Sequence, residues 1–187
     1  TEAFQVDRLT GADLRTTCLA GKASCGGMDF WTPTDFAMLS DEAFELLATL
    51  LNLIEGGRPW PAAILHAKAA MLATTEEFSF DPLEYRILMI MPTLYRKWAA
   101  TRLRHLQPWV REWAMDEMFA GVDSVSAEEA AYLTALHVEW ARMNSMPITG
   151  GSVDIHKCFD QFIRELVYHI LECGGCPKCI LTAYMAV

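Results

Sequence analysis

Gly150-Gly151-Ser152-Val153-Asp154-Ile155-His156-Lys157-Cys158-Phe159-Asp160 is the stretch on which the reading of the fold turns. An apolar lead-in, Met146 to Val153 with Gly150 and Gly151 inside it, delivers Asp154. Gln161 to Leu171 then carries helical spacing. The pattern predicts a strand that ends on a carboxylate and turns into a helix. Such a corner can hold a hard cation, because carboxylate oxygens are the ligands that Mg2+ takes. Asp154 also suits a second role, the N-cap of the helix that follows. The residues alone leave both open.

Working outward, the whole chain has 187 residues, which bounds it to one domain or one and part of another. Its hydrophobic fraction is 52% and its mean hydropathy is +0.16, enough apolar surface to exclude a disordered chain. The net charge of -9, from 24 Asp and Glu against 15 Lys and Arg, argues against non-specific binding to a polyphosphate. It leaves room for a local basic groove. No apolar run reaches the roughly 18–20 residues that span a bilayer. The chain starts at Thr1 without a signal-peptide pattern, as a processed product or a fragment would. The six cysteines, at 18, 25, 158, 173, 176 and 179, do not space like a secreted disulfide framework. They point to a reducing intracellular compartment, an organelle included.

Upstream of the opening stretch the periodicity is mostly helical. Pro33 to Leu39 predicts a short helix. Ser40 predicts an N-cap for a second, with Asp41 and Glu42 at its positive end. Phe44, Leu47, Leu50, Leu51 and Ile54 mark its buried face, and Gly56-Gly57 its end. Ala62 to Ala73 reads as helix, strand or both in succession, and Thr74 to Pro82 as a loop. Tyr85 to Met91 is an apolar run interrupted by Arg86. Thr93 to Leu106 and Pro108 to Phe119 read as two amphipathic helices. The first sets Leu94, Trp98 and Leu103 against a basic face of Arg96, Lys97, Arg102, Arg104 and His105. A solvated face is the plainer reading of those five, and a nucleic-acid contact the sharper one. In the second, Trp109 and Trp113 share a face. Ser126 predicts the cap of a long helix whose buried stripe is Tyr132, Leu133, Leu136 and Trp140. A last helix is expected within Pro177 to Val187. With three or four short strands between 62 and 155, the expected class is α+β, helix-rich, with a small sheet.

The order of these blocks resembles a known family. Met28-Asp29-Phe30-Trp31, a helix over Leu39 to Glu55, Trp60-Pro61-Ala62-Ala63, Tyr85-Arg86-Ile87, Leu94-Tyr95-Arg96-Lys97-Trp98-Ala99 and Asp154 to Asp160 follow one another. Together they look like the fingers and early palm of a reverse transcriptase of the non-LTR retrotransposon kind, over about residues 22–187. The resemblance implies an N-terminal extension at 1–21, a fingers-like helical region with a short strand pair at 22–147, and the start of the palm at 148–187. It implies RNA-directed DNA polymerase ancestry, with Mg2+ as cofactor and an RNA or DNA template-primer and dNTP as partners. Asp154 matches the first catalytic carboxylate and metal ligand, and the Ile155 carbonyl sits beside the same ions. Phe159 matches the aromatic residue under the sugar. Arg86 matches the arginine on the incoming triphosphate, a task that suits a planar guanidinium.

The departures are part of the reading. Ala73-Thr74 stands where the family has Pro-Lys, Ile87 where Pro follows the arginine, and Asp116-Glu117-Met118-Phe119 where it has Gln-x-Gly-Phe. The paired aspartates of the later palm would lie beyond Val187. Two-metal transfer needs several carboxylates converging on the ions, so the 187-residue chain by itself is expected to be inactive. A second reading is a non-catalytic subunit of a larger protein assembly, possible in an organelle. His169, Cys173, Cys176 and Cys179 have spacings that suit tetrahedral zinc, or else are small buried residues around a Gly-Gly turn.

Overall fold

The computed structural model describes residues 2–20, 24–74, 80–155 and 158–187. Among these the chain forms seven α-helices and one two-stranded antiparallel sheet, a helix-rich α+β arrangement. It divides into two compact units, Thr1–His105 with Leu171–Val187, and Leu106–Ile170. Each is taken by itself.

The first unit is built on α1 (Gly11–Leu19), α2 (Pro33–Ala37) and α3 (Asp41–Glu55). Three hydroxyls start these helices. Thr10 and Thr32 form capping boxes with Asp13 and Asp35, and Ser40 accepts from the Ala43 N–H at 3.3 Å. α3 ends at Gly56, and Gly57 follows at φ +99, a conformation glycine adopts without cost. The buried face of α3 carries Phe44, Ala48, Leu51 and Ile54, against which α1 packs. Each large side chain so buried stabilises by roughly 1.5–3 kcal/mol. The preceding segment is tied in by Asn52, which accepts from the Leu9 N–H at 3.0 Å and donates to the Leu9 carbonyl at 2.8 Å. Residues 2–20, expected as an extension, thus join this unit.

A 3-10 turn at Ala62–Ile64 leads into β1 (Lys68–Ala73), which pairs with β2 (Tyr85–Ile90) in the register Lys68↔Ile90 to Ala73↔Tyr85. The expected loop between them includes residues 75–79, outside the described residues. Met71, Leu72, Ile87, Leu88 and Met89 are exposed, so among the described residues neither face of the ribbon is covered. α4 (Thr93–Trp113) follows, and α7 (Lys178–Met185) packs on α3. The indole of Trp60 donates to the Ala183 carbonyl at 2.8 Å and meets Trp98 edge-on at 5.2 Å.

The second unit holds the end of α4, then α5 (Ala127–Met143) and most of α6 (Arg164–Cys173). Two helices were expected around Pro108; one continuous helix runs through it. Proline removes a single N–H from the ladder, and the helix continues to Trp113. Trp109 is buried and contacts Trp113 edge-on at 5.6 Å. Arg111 pairs with Asp123 at 2.7 Å, and Gln107 accepts from the Asp123 N–H at 3.0 Å. Ser126 caps α5 as expected. The expected buried stripe is not buried: Tyr132 is 64% exposed, Leu136 46% and Trp140 58%. Periodicity reports an apolar stripe, not whether anything covers it.

The opening stretch departs furthest from expectation. Residues 146–155 form no strand, and among the described residues the sheet has two strands rather than three or four. A strand needs a neighbour to take its N–H and C=O groups, and no strand among the described residues pairs with this segment. A Cβ added at Gly150 or Gly151 would meet nothing within 4 Å. Nor does Asp154 cap the following helix, since α6 starts at Arg164.

Candidate functional site

Asp154 lies in the irregular segment of the second unit with its side chain exposed, between Val153 at 91% and Ile155 at 59% exposure. His156 and Lys157 lie outside the described residues. Phe159 falls in the 3-10 turn Cys158–Gln161. Arg86 belongs to the first unit, exposed on β2 opposite Leu72. An exposed carboxylate on open backbone keeps its hydration and can enter a metal shell. A divalent ion held by protein alone requires several more oxygens. Among the described residues no group of three or more His, Cys, Asp or Glu could hold a metal ion.

The four candidate zinc ligands divide between the units, His169 in the second and Cys173, Cys176 and Cys179 in the first. Cys176 is buried, whereas Cys173 and Cys179 are exposed. Burial, and after it the charge of Cys179, push the Cys176 thiol above its usual range. Zinc takes the thiolate, so that environment works against metal capture.

The basic face of α4 also departs from expectation. Lys97 and Arg102 are buried, at 8% and 2% exposure. Arg102 Nε donates to Glu55 Oε1 at 2.7 Å and its Nη1 to the Asp7 carbonyl at 2.8 Å. Trp98 Nε1 donates to the same Glu55 oxygen at 2.7 Å. Lys97 Nζ donates to the Thr17 carbonyl at 3.1 Å, beside a hydroxyl pair between Thr101 and Thr17 at 2.9 Å. Arg96 reaches Ser24, the Cys25 carbonyl and Thr93. Arg104 donates to the Asp13 carbonyl at 3.3 Å. Two of the five residues of the expected solvated face, Lys97 and Arg102, thus sit in a polar network inside the first unit, while Arg104 stays exposed. A helical count from Trp98 holds the signal, since Arg102 lies four residues on and Lys97 three after Leu94. Charge alone had assigned them to solvent.

The tight fit around this network shows in Gly27, where a Cβ would come within 2.8 Å of Pro92 backbone atoms. Close by in sequence, Asp29 has a buried Oδ1 without a hydrogen-bond partner among the described residues, and Arg96 Nε is in the same state. The motif blocks contain both residues and give neither a site role. At the far end of the network His105 faces Arg102, Asp13 and Arg104. Burial, then the Arg102 charge, hold His105 below its usual 6.5 despite the opposing pull of Asp13. Burial pushes Asp13 up, but bonds from Thr10 and the charges of His105 and Arg104 outweigh it and leave this carboxyl lowered.

Both depressed values act in one direction. The unfolded chain takes up a proton on this histidine before the folded one does, so stability is complete above pH 6.5 and declines as pH falls from there towards the folded value. Asp13 adds a further loss below 3.8. Urea midpoints measured from pH 8 to pH 5 should therefore fall on the acid side, and His105→Gln should flatten that decline. An unchanged slope in the variant would assign it elsewhere.

No helix among the described residues is long and apolar enough to cross a membrane. Comparison with protein-family models and with curated proteins finds no match to this chain.

Proposed function

We propose that the chain is the fingers and first palm portion of a reverse-transcriptase-like polymerase, carrying the first metal-binding carboxylate at Asp154 and a triphosphate contact at Arg86. The observation that carries the reading is the ordered set of sequence blocks that ends in Asp154-Ile155-His156-Lys157-Cys158-Phe159-Asp160. The exposed positions of Arg86 and Asp154 are compatible with it. In this reading the Asp154 carboxylate and the Ile155 carbonyl would hold Mg2+, and Phe159 would lie under the sugar. When bound, the two ions stabilise the attacking and leaving oxygens of nucleotidyl transfer. One carboxylate cannot hold both, so the chain by itself binds without polymerising.

The test pairs two measurements. Binding of a fluorescent deoxynucleoside triphosphate with Mg2+ and a primed RNA template should be detectable by anisotropy. Arg86→Ala should weaken it roughly tenfold, the value of a charge-assisted contact of about 1.5 kcal/mol. Equal binding by the variant, or none by the parent at tens of micromolar, sinks the reading. Primer extension by the chain alone should be absent; template-dependent incorporation would overturn the inactive assignment.

A second reading, a non-catalytic subunit of a larger assembly, has its own support. Tyr132, Leu136, Trp140 and Met143 leave an apolar stripe on α5 uncovered, and such patches tend to mark interfaces. In this reading nucleotide binding fails and Asp154→Ala has no effect on the assembly.

A further inference from the structure

A groove of about 490 Å3 opens on the first unit, lined by the turn before α2, by α2 and α3, and by the 3-10 turn at Ala62–Ile64. That volume falls in the range of small-molecule sites. Its walls are hydrocarbon, with Trp31 and Phe36 beside Leu46, Leu47 and Leu50 of α3. Trp31 is 45% exposed and Leu46 72%, so solvent reaches both. Among the described residues Asp29 is the one charged side chain along it.

The chain reaches the groove through a tight turn. The Phe30 N–H donates to the Gly27 carbonyl at 3.2 Å, and Phe30 stands at φ +60, in the left-handed region. The Thr93 hydroxyl donates to the Trp31 carbonyl, and the capping box of Thr32 and Asp35 starts α2 directly afterwards. Asp29 and Trp31 are therefore carried on backbone that is already fixed, which lowers the ordering cost of taking a ligand. The Trp31 and Phe36 rings meet edge-on, with centroids 5.2 Å apart. Asp29 has its Oδ1 buried without a hydrogen-bond partner, and it enters none of the ion pairs found among the described residues. A carboxylate in that state is costly, and a nearby cation offsets the cost.

The walls decide which cation fits. A metal ion requires several more oxygens. A primary ammonium carries three N–H donors, and the lining side chains offer them a single carboxylate. A quaternary ammonium has no donor to satisfy. Its charge spreads over methyl groups that pack on hydrocarbon and on aromatic faces, for which Trp is the strongest partner. A carboxylate attracts it through charge, with no hydrogen bond between them. We infer that the groove binds an amphiphilic quaternary ammonium ion, with its trimethylammonium head at Asp29 and Trp31 and its aliphatic chain along Leu46, Leu47 and Leu50.

The experiment titrates the full chain with hexyltrimethylammonium and follows its 1H–15N spectrum. Half-saturation is expected at about 1 mM, the reach of so small a ligand. The Trp31 indole N–H signal, identified by its loss in Trp31→Ala, should shift together with backbone signals of α3. Hexanol and hexanoate keep the chain and change the head, and they should bind at least about tenfold more weakly. Hexylammonium should also bind more weakly than the trimethyl probe. Asp29→Asn should lose roughly tenfold in affinity for hexyltrimethylammonium and none for hexanol. Trp113→Ala, in the second unit, should bind as the parent does. No saturation by about 10 mM overturns the inference, as does equal binding of hexanol or hexylammonium, or undiminished binding by Asp29→Asn. Circular dichroism establishes that each variant folds, and the probe series on the parent needs no variant.

Discussion

Replacing Glu55 with alanine is expected to lower the free energy of unfolding by about 3–5 kcal/mol, the cost of leaving a buried charge without its partner. The side chains of Arg102 and Glu55 are 3% and 6% exposed. Alanine would remove the acceptor of two Arg102 bonds and of the Trp98 indole at once. The guanidinium would keep the Asp7 carbonyl and the His105 ring, neither of which carries a neutralising charge. Urea unfolding measures the loss as a lower midpoint at unchanged slope. Exchanging the pair together, Glu55→Leu with Arg102→Met, should recover most of it, because a buried ion pair is often worth no more than a well-packed apolar pair. A loss under about 1 kcal/mol in Glu55→Ala would show that water reaches the guanidinium.

Trp98→Ala is the second large effect, about 3–5 kcal/mol, in the range for deleting a buried aromatic side chain. Trp98 is 1% exposed and meets both Trp60 and Tyr95. Truncation would open a cavity between α4 and the Trp60 connector and remove one donor to Glu55. Because Trp98 and Arg102 share Glu55, the costs of Trp98→Ala and Glu55→Ala should not add. Trp113→Ala is the comparison. That ring is 47% exposed and touches Trp109, so its loss should cost about 1 kcal/mol. Equal losses at 98 and 113 would contradict the burial on which the argument rests.

Much of the secondary structure was legible. Ser40, Gly56 and Ser126 act at helix ends through their own side chain or backbone freedom, and those boundaries hold. The α3 face holds at Phe44, Leu51 and Ile54 because helical spacing and burial coincide there. α1 was missed although Thr10 and Asp13 spell a capping box, since its apolar residues are few. The expected metal corner rests on a sequence motif alone. Asp154 can be named from its neighbours in sequence, but the expected strand beneath it depends on a pairing partner.

By itself the sequence determined the helix-rich class, most helix starts and stops, and the order of blocks that carries the polymerase resemblance. Those features are local: a cap or a 3.6-residue period acts within a few residues. Only the tertiary structure decided which charges are inside and which apolar stripes are outside. Lys97 and Arg102 are buried because Thr17, Asp7 and Glu55, 80, 95 and 47 positions away in sequence, supply the acceptors. Asp154 stands on irregular, exposed backbone because no strand among the described residues pairs with the residues before it. Hydrogen-bond partners distant along the chain, which no local pattern encodes, set both outcomes.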